Sequence, residues 1–470
     1  MLLDDRNTPT ATLARFASEF RLDALSSAAI ATVKVGILDS IGVALAGSNQ
    51  PAGRAVADFV AGHGAGPASL WGHGVRVPVS LAALANGTAA HALDYDDVNW
   101  ALTGHPSVGL TPAVFALAER DHASGSAILE AYACGFEVMA KVGLTCMPAH
   151  SYTGGWHATS TIGTIGATAA CCRLLGLNVD QATHAVGIAV SRAAGVVQNF
   201  GTMTKPLHAG SAAENGVIAA ELARRGFTAS PDAMEGKHGF YASFCRDLPL
   251  HVEHLQELGT VFELDESGLL IKPYPCGVAG HAAIDAARKL RSRLTLADIE
   301  TASAVTVGAT AYTLDKMRYI APENELQAKF SLTYQVARAL LDGNVRLAHF
   351  EATAIRDERV RTLASRIVLT RDDDIDLQYT SRGIGGVRPC RVTITLADGR
   401  SESELVRASR GDPESPMTHE QLEDKFGDCA GPVLGLAGVR LALDLLNHLE
   451  AVADCQAVCD LIRGSNQTTS

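Results

Sequence analysis

Three carboxylates crowd into HALDYDDVNWALTGHPSVG, residues 91–109. Asp94, Asp96 and Asp97 fall within four positions, and His105 follows after a loop-like interval ending in Gly104. Like charges this close are costly unless water, a cation or hydrogen-bond donors answer them, and a site can use the crowding to raise one carboxyl's pKa. The cluster therefore reads as a solvated turn, a metal site or an acid/base centre. Aspartate is common in turns and at helix starts, which makes the turn the plain alternative. A divalent cation fits poorly, because successive residues at a helix end point in different directions and the set lacks the ligand periodicity of a calcium loop. No metal is expected here.

Other titratable residues sit in glycine-rich, small-residue stretches: His157 in TGGWHATSTIG, Lys205 and His208 in NFGTMTKPLHAG, Lys272 and His281 in KPYPCGVAGH. Glycine lets a ligand approach the backbone. Taken singly, His157 reads as a hydrogen-bonded core histidine, His208 as a helix-start residue and Lys205 as a surface lysine before a proline. Taken with Asp94 and His105, they form a constellation suited to an anion. Lys205 precedes a predicted helix start near Pro206, where lysine is unhelpful to the dipole but an anion is welcome. A carboxylate ligand would satisfy both.

Absent motifs narrow the chemistry. There is no GxxxxGK[ST] loop, no GxGxxG after a strand, no GxSxG elbow and no HExxH. The lack of CxxC argues against an iron–sulfur cluster, and no cofactor is expected. A formal charge of −12 gives no general attraction to nucleic acid or an anionic membrane. Ten cysteines in 470 residues without regular spacing, including the adjacent pair Cys171 and Cys172, read as a reducing compartment. MLLDDRNTPT lacks the basic start and apolar core of a signal peptide, and the longest weakly polar run, 158–171, is too short to span a bilayer. A cytoplasmic protein with neither nucleic-acid nor membrane partners is expected.

The elements that must position these residues are mostly helices. Hydrophobic residues make up 47%, charged residues 19% and aromatics 5% of the chain, a composition suited to closely packed helices with small residues at their crossings. From residue 10 to about 230 helix follows helix, each begun by a capping residue and ended by glycine. Ser124 or Ser126 and Asn178 or Asp180 are candidate caps, and SPDAMEG predicts another helix with Ser230 as cap and Pro231 in its first turn. Near residue 265 the character changes. ASAVTVGATAY, SRIVLTRD and CRVTITLADGRSESELV are β-rich, the last with Ala-Asp-Gly at a hairpin position that favours positive φ, and helical segments are predicted at 278–293 and 325–342. After RGDPESP the helices resume. A chain of this length exceeds the roughly 250–300 residues at which one core stops growing. The fold class is thus mainly α: a large all-helical domain, 1–265 plus 409–470, with a smaller α+β domain inserted at 266–408. No internal repeat is apparent, and the tail RGSNQTTS is expected to fray.

At these residues the sequence resembles the MmgE/PrpD family, which includes 2-methylcitrate dehydratase, cis-aconitate decarboxylase and iminodisuccinate epimerase. ILDSIGVALAG, HALDYDD, GHPS, WHATSTIGTIGATAA, GTMTKPLHAG, AAENGVIAAELARRGFTASPDAMEG, KPYPCGVAGH and ELQAKFSLTYQVARALLDG look like family blocks in the family's order. The resemblance implies a helical domain with an inserted α+β lid, a homodimer, and an active site of Asp94, His105, His157, Lys205, His281 and Tyr319. Val98 stands where many dehydratase and decarboxylase members carry threonine, and the loop to His105 is a residue longer than in the decarboxylase.

Chemistry of this kind generates negative charge on carbon beside a carboxylate, which needs a base within reach and cations over the carboxylate. Lys205 and His157 are assigned to carboxylate binding and charge stabilisation, His105 or His281 to proton transfer, and Asp94 to orienting His105. Asp96 and Asp97 are expected to cap or hydrogen-bond the loop that holds the histidine. The expected function is a cofactor-independent hydro-lyase acting on a small di- or tricarboxylate such as 2-methylcitrate. An epimerase or racemase of an amino- or imino-dicarboxylate, a cis-aconitate-type decarboxylase and a silent carboxylate-binding protein are the alternatives.

Overall fold

The computed structural model describes residues 8–464 except 148, 246–248 and 382–387. Residues 465–470 of the tail expected to fray lie outside the described residues. The chain forms two compact units, one from the chain up to Leu269 together with Thr418 onward, the other spanning Leu270–Met417; the sequence reading places the second at 266–408.

The first unit is helical. Ser27–Ser48 begins where the Ser26 side chain accepts from the Ala29 amide, and from Gly36 to Leu45 every residue is buried, so this stretch of the helix turns no face to solvent. Helices Val79–His91, Ser107–Asp121, Gly125–Cys146, Ala158–Leu174 and Thr204–Arg224 follow. Ser124 caps the Gly125–Cys146 helix, and Asn178 with Gln181 forms a capping box at Val179–Arg192. The small residues serve close crossings. A methyl group at Gly47 would stand 1.9 Å from the Ala89 carbonyl oxygen, and one at Gly210 would stand 2.1 Å from that of Leu84. Both crossings involve the Val79–His91 helix, whose end leads into the acidic cluster.

Three local expectations are corrected. SPDAMEG is a set of turns, because the Gly236 amide donates to the Asp232 carbonyl at 2.7 Å and Gly239 turns back on Gly236; the helix forms at Phe240–Phe244 instead. A short antiparallel hairpin, β1 (Ala68–Leu70) with β2 (Val75–Val77), interrupts the helical series. Two helices, Ser27–Ser48 and His419–Asn447, are long and apolar enough to cross a membrane by length and composition, although the sequence reading takes 158–171 as the longest weakly polar run. Ser27–Ser48 owes its composition to burial in the unit. His419–Asn447 is capped by Thr418, contains Pro432 and breaks at Gly435, where φ is 66°.

The second unit is α+β. Strands β3 (Ala304–Ala309), β4 (Ile367–Arg371), β5 (Cys390–Thr395) and β6 (Ser401–Val406) form one sheet in the order β4-β3-β5-β6. β3 and β4 run parallel with Val305 opposite Ile367, and the remaining pairs are antiparallel. Gly399 turns the β5–β6 hairpin with φ 86°, the conformation its Asp-Gly sequence favours. Helices His281–Arg293 and Leu332–Asp342 contribute Leu290, Val336 and Leu340 to a core shared with Val305, Val307, Val392 and Ile394 of the sheet.

Candidate active site

Four of the six residues singled out in the sequence gather in the helical unit. Past His91 the chain turns through Asp94, whose φ is 52°. That left-handed backbone is uncommon for residues other than glycine and costs on the order of 1 kcal/mol or more. The Asp94 carboxylate accepts from Lys205 Nζ at 2.7 Å. Lys205 lies in the first turn of the Thr204–Arg224 helix, and its ammonium is 5.4 Å from the centre of the Phe200 ring, within cation–π range. The ion pair answers the unfavourable placement of lysine at a helix N-terminus.

The carboxylate beside His105 belongs to Asp96, which corrects the expectation that Asp94 orients this histidine. Asp96 Oδ2 lies 2.8 Å from His91 Nδ1 and 2.9 Å from His105 Nδ1. His105 Nδ1 is also 2.8 Å from the Asp97 carbonyl oxygen, an atom that can only accept. His105 therefore carries its hydrogen on Nδ1, and the lone pair of the neutral ring is on Nε2. Asp97 has a structural role. Its carboxylate accepts from the Ser107 amide at 3.3 Å and from the Ser107 hydroxyl, tying the acidic turn to the start of the Ser107–Asp121 helix. Asp96 and Asp97 are both fully buried.

His157 is the residue before the Ala158–Leu174 helix, and its amide donates to the Gly195 carbonyl at 3.0 Å. Its Nδ1 faces His208 Nδ1 at 3.0 Å. One of the two must donate and the other accept, so the rings hold complementary tautomers and cannot both be cationic. His91 packs against His105 at 4.6 Å and stacks on His157 at 6.0 Å between ring centres, and Phe200 meets His157 edge-on at 4.8 Å.

Burial and charge divide the protons. Burial lowers the His91 pKa to about 4, with Asp96 only partly opposing it. Burial also holds His157 well below the ordinary histidine value, reinforced by His91 and Lys205, and lowers His208, reinforced by Lys205. For Asp96, burial favours the neutral form, yet the adjoining His105 and His91 rings win and keep its pKa well below the carboxylate range. Burial drives Asp97 well above that range despite the Ser107 hydrogen bonds, with Asp39 and Asp96 adding to the effect. The histidine rings thus keep Asp96 anionic, and burial pushes Asp97 towards its protonated form.

His281 and Tyr319 belong to the second unit. His281 opens the His281–Arg293 helix, buried, with Nε2 3.2 Å from the Cys276 carbonyl oxygen and its ring edge-on to Tyr274 at 5.2 Å. Tyr319 is half-buried, its amide donating to the Phe330 carbonyl at 3.2 Å, with the Arg318 guanidinium 5.4 Å from its ring centre.

Sequence reasoning misses His91 and Phe200 and misjudges Asp96. His91 stands five residues before Asp96 in the same block, but a helix-terminal histidine gives no signal until the turn at Asp94 folds the acids back on it. Chemically the arrangement offers a neutral imidazole with Nε2 as base, an anion behind it to stabilise the imidazolium, and a lysine able to receive an anion. The ligand atoms of His91, Asp96 and His105 lie within 4.8 Å of one another, a spacing a metal ion could use. However, the hydrogen on His105 Nδ1 would have to be displaced first.

Fold and site together define a mainly helical protein with a histidine–carboxylate cluster beside a buried lysine. Residues 11–253 match the MmgE/PrpD N-terminal domain and residues 274–449 the MmgE/PrpD C-terminal domain, and the chain belongs to this family. It is 28% identical over 457 residues to the cis-aconitate decarboxylase of Mus musculus, covering 94% of this chain and 91% of that protein. It is 27% identical over 475 residues to the cis-aconitate decarboxylase of Aspergillus terreus, with 96% and 95% covered. To the 2-methylcitrate dehydratase of Cupriavidus necator it is 26% identical over 434 residues, with 85% and 84% covered. These relatives are enzymes, decarboxylases and a dehydratase.

Proposed function

We propose that the protein is a hydro-lyase acting on a small di- or tricarboxylate such as 2-methylcitrate, by proton abstraction at carbon next to a carboxylate. The observation that carries this reading is the fixed tautomer of His105, whose Nε2 is the base while Asp96 stabilises the cation formed when it takes the proton. Lys205 binds a substrate carboxylate and stabilises charge as it becomes enolate-like, with His157 donating a hydrogen bond to the same ligand. His281 and Tyr319 are candidates on the strength of the family resemblance alone. Decarboxylation is the second reading, favoured by the fuller coverage of the decarboxylase relatives, 94% and 96% of this chain against 85% for the dehydratase.

Homodimerisation through the helical unit belongs to the same proposal. Leu436 and Leu441 of the His419–Asn447 helix are 82% and 51% exposed, a surface apolar enough to be covered by a second copy.

The test is a proton NMR time course of the purified protein with 2-methylcitrate, citrate, cis-aconitate and amino-dicarboxylates. Loss of water to give a vinylic product establishes the hydro-lyase, and loss of CO2 the second reading. Binding without turnover of any of them refutes both and leaves a carboxylate-binding protein.

A further inference from the structure

A second cluster of coordinating side chains lies in the helical unit. Cys146 ends the Gly125–Cys146 helix, His150 follows in the short Ala149–Tyr152 helix, and Cys245 comes directly after Phe240–Phe244. All three are buried, and one ligand atom from each lies within 4.8 Å of the other two. His150 Nδ1 is 3.7 Å from Cys245 Sγ.

The hydrogen bonds around His150 are compatible with a lone pair on the nitrogen that faces the sulfurs. Its Nε2 is 2.7 Å from Thr161 Oγ1. The single hydroxyl hydrogen of Thr161 goes to the His157 carbonyl at 3.2 Å, so Thr161 accepts from His150 Nε2–H. The lone pair of the neutral ring is then on Nδ1, turned to the sulfurs. A histidine whose other nitrogen is held by a hydrogen-bond acceptor is the usual state of a metal-ligating imidazole. Around it, His150 stacks on Phe240 at 5.7 Å between ring centres and lies 6.1 Å from Phe244, which in turn packs on Trp156 at 4.7 Å. These rings pack an apolar surface against the imidazole.

We propose that Cys146, His150 and Cys245 bind a soft divalent cation, zinc by the match of two sulfurs and one imidazole to its tetrahedral preference, with the fourth position open to water. Binding exchanges two thiol protons for the metal, so it is charge-balanced without an oxidant. Through Thr161 the bound ion fixes the carbonyl of His157, and the site acts as a clasp on the segment that presents that histidine.

The test is a titration of the reduced, metal-stripped full-length protein with Co2+, followed by displacement with Zn2+. The expected result is one equivalent per chain, a thiolate-to-cobalt charge-transfer band in the near ultraviolet with the intense visible bands of a tetrahedral ion, and loss of both on adding Zn2+. Cys245→Ser and Cys146→Ser should each weaken the charge-transfer band, and Thr161→Val, which keeps all three ligands, should weaken affinity by about 10- to 100-fold. Because a cysteine variant can fail to fold, the wild-type melting temperature is read alongside: Zn2+ should raise it in a concentration-dependent way, and His150→Gln should abolish the rise. Absence of the charge-transfer band, or a band unchanged in Cys245→Ser, overturns the proposal.

Discussion

Asp96→Asn keeps the shape of a fully buried side chain and removes the one negative charge shared by His91 and His105. His105 Nδ1 retains the Asp97 carbonyl at 2.8 Å, so its tautomer survives. What is lost is the charge-assisted bond that strengthens as the ring becomes a cation. Such a bond contributes ~1.5–3 kcal/mol, and at 1.36 kcal/mol per tenfold the expected fall in kcat is roughly 10- to 150-fold. KM should change little, because Asp96 holds the base and not the ligand. Asp94→Asn is the internal control: its carboxylate meets Lys205 at 2.7 Å, so it should act mainly on KM. The assay is steady-state turnover against pH for wild type and both variants, with circular dichroism to confirm folding. Turnover within twofold of wild type would refute the placing of Asp96 behind the base.

The remaining expectations concern the anion site, acid stability and packing. Lys205→Ala should weaken binding of a tricarboxylate, by calorimetry, by about 10- to 150-fold, the worth of one charged hydrogen bond; unchanged affinity would remove Lys205 from the ligand. His91, with a folded pKa of about 4 against about 6.5 unfolded, binds its proton more readily in the unfolded chain, so stability falls as pH drops from about 6.5 to 4. That difference corresponds to roughly 3 kcal/mol, so urea midpoints at pH 7 and 4.5 should differ and the gap should narrow in His91→Gln; a flat profile would contradict it. Gly210→Ala, whose methyl would meet the Leu84 carbonyl oxygen at 2.1 Å, should cost about 1–3 kcal/mol through overpacking, read as a lowered melting temperature.

Much of this structure is legible where a local rule decides the outcome. The strands of the second unit fall in β-rich segments, β5 alternating buried and part-buried residues along its length, and Asp398-Gly399 announces the hairpin turn between β5 and β6. Ser124 and Asn178 are visible as caps because capping is a matter of side-chain type and position. Legibility ends where tertiary geometry decides. Nothing in SPDAMEG announces that Gly236 and Gly239 fold it into turns, and the three-residue strands of the β1–β2 hairpin are too short for periodicity. At the site, Asp94, His105, His157 and Lys205 stand out by their residue types and setting, but their pairing does not. Asp94 and Asp96 are two apart, and which of them faces His105 depends on the positive φ at Asp94. A sequence pattern does not encode that angle when the residue is not glycine.

Proton transfer by His105 to or from carbon can be read by solvent exchange whatever the product. Wild type and His105→Gln would be incubated in D2O with 2-methylcitrate, citrate and cis-aconitate, and the carbons beside the carboxylates followed by NMR. Deuterium should enter such a carbon with wild type and do so at least ~100-fold more slowly with His105→Gln, the lower end of what a general acid or base contributes. Exchange at an undiminished rate in His105→Gln would contradict proton transfer by His105.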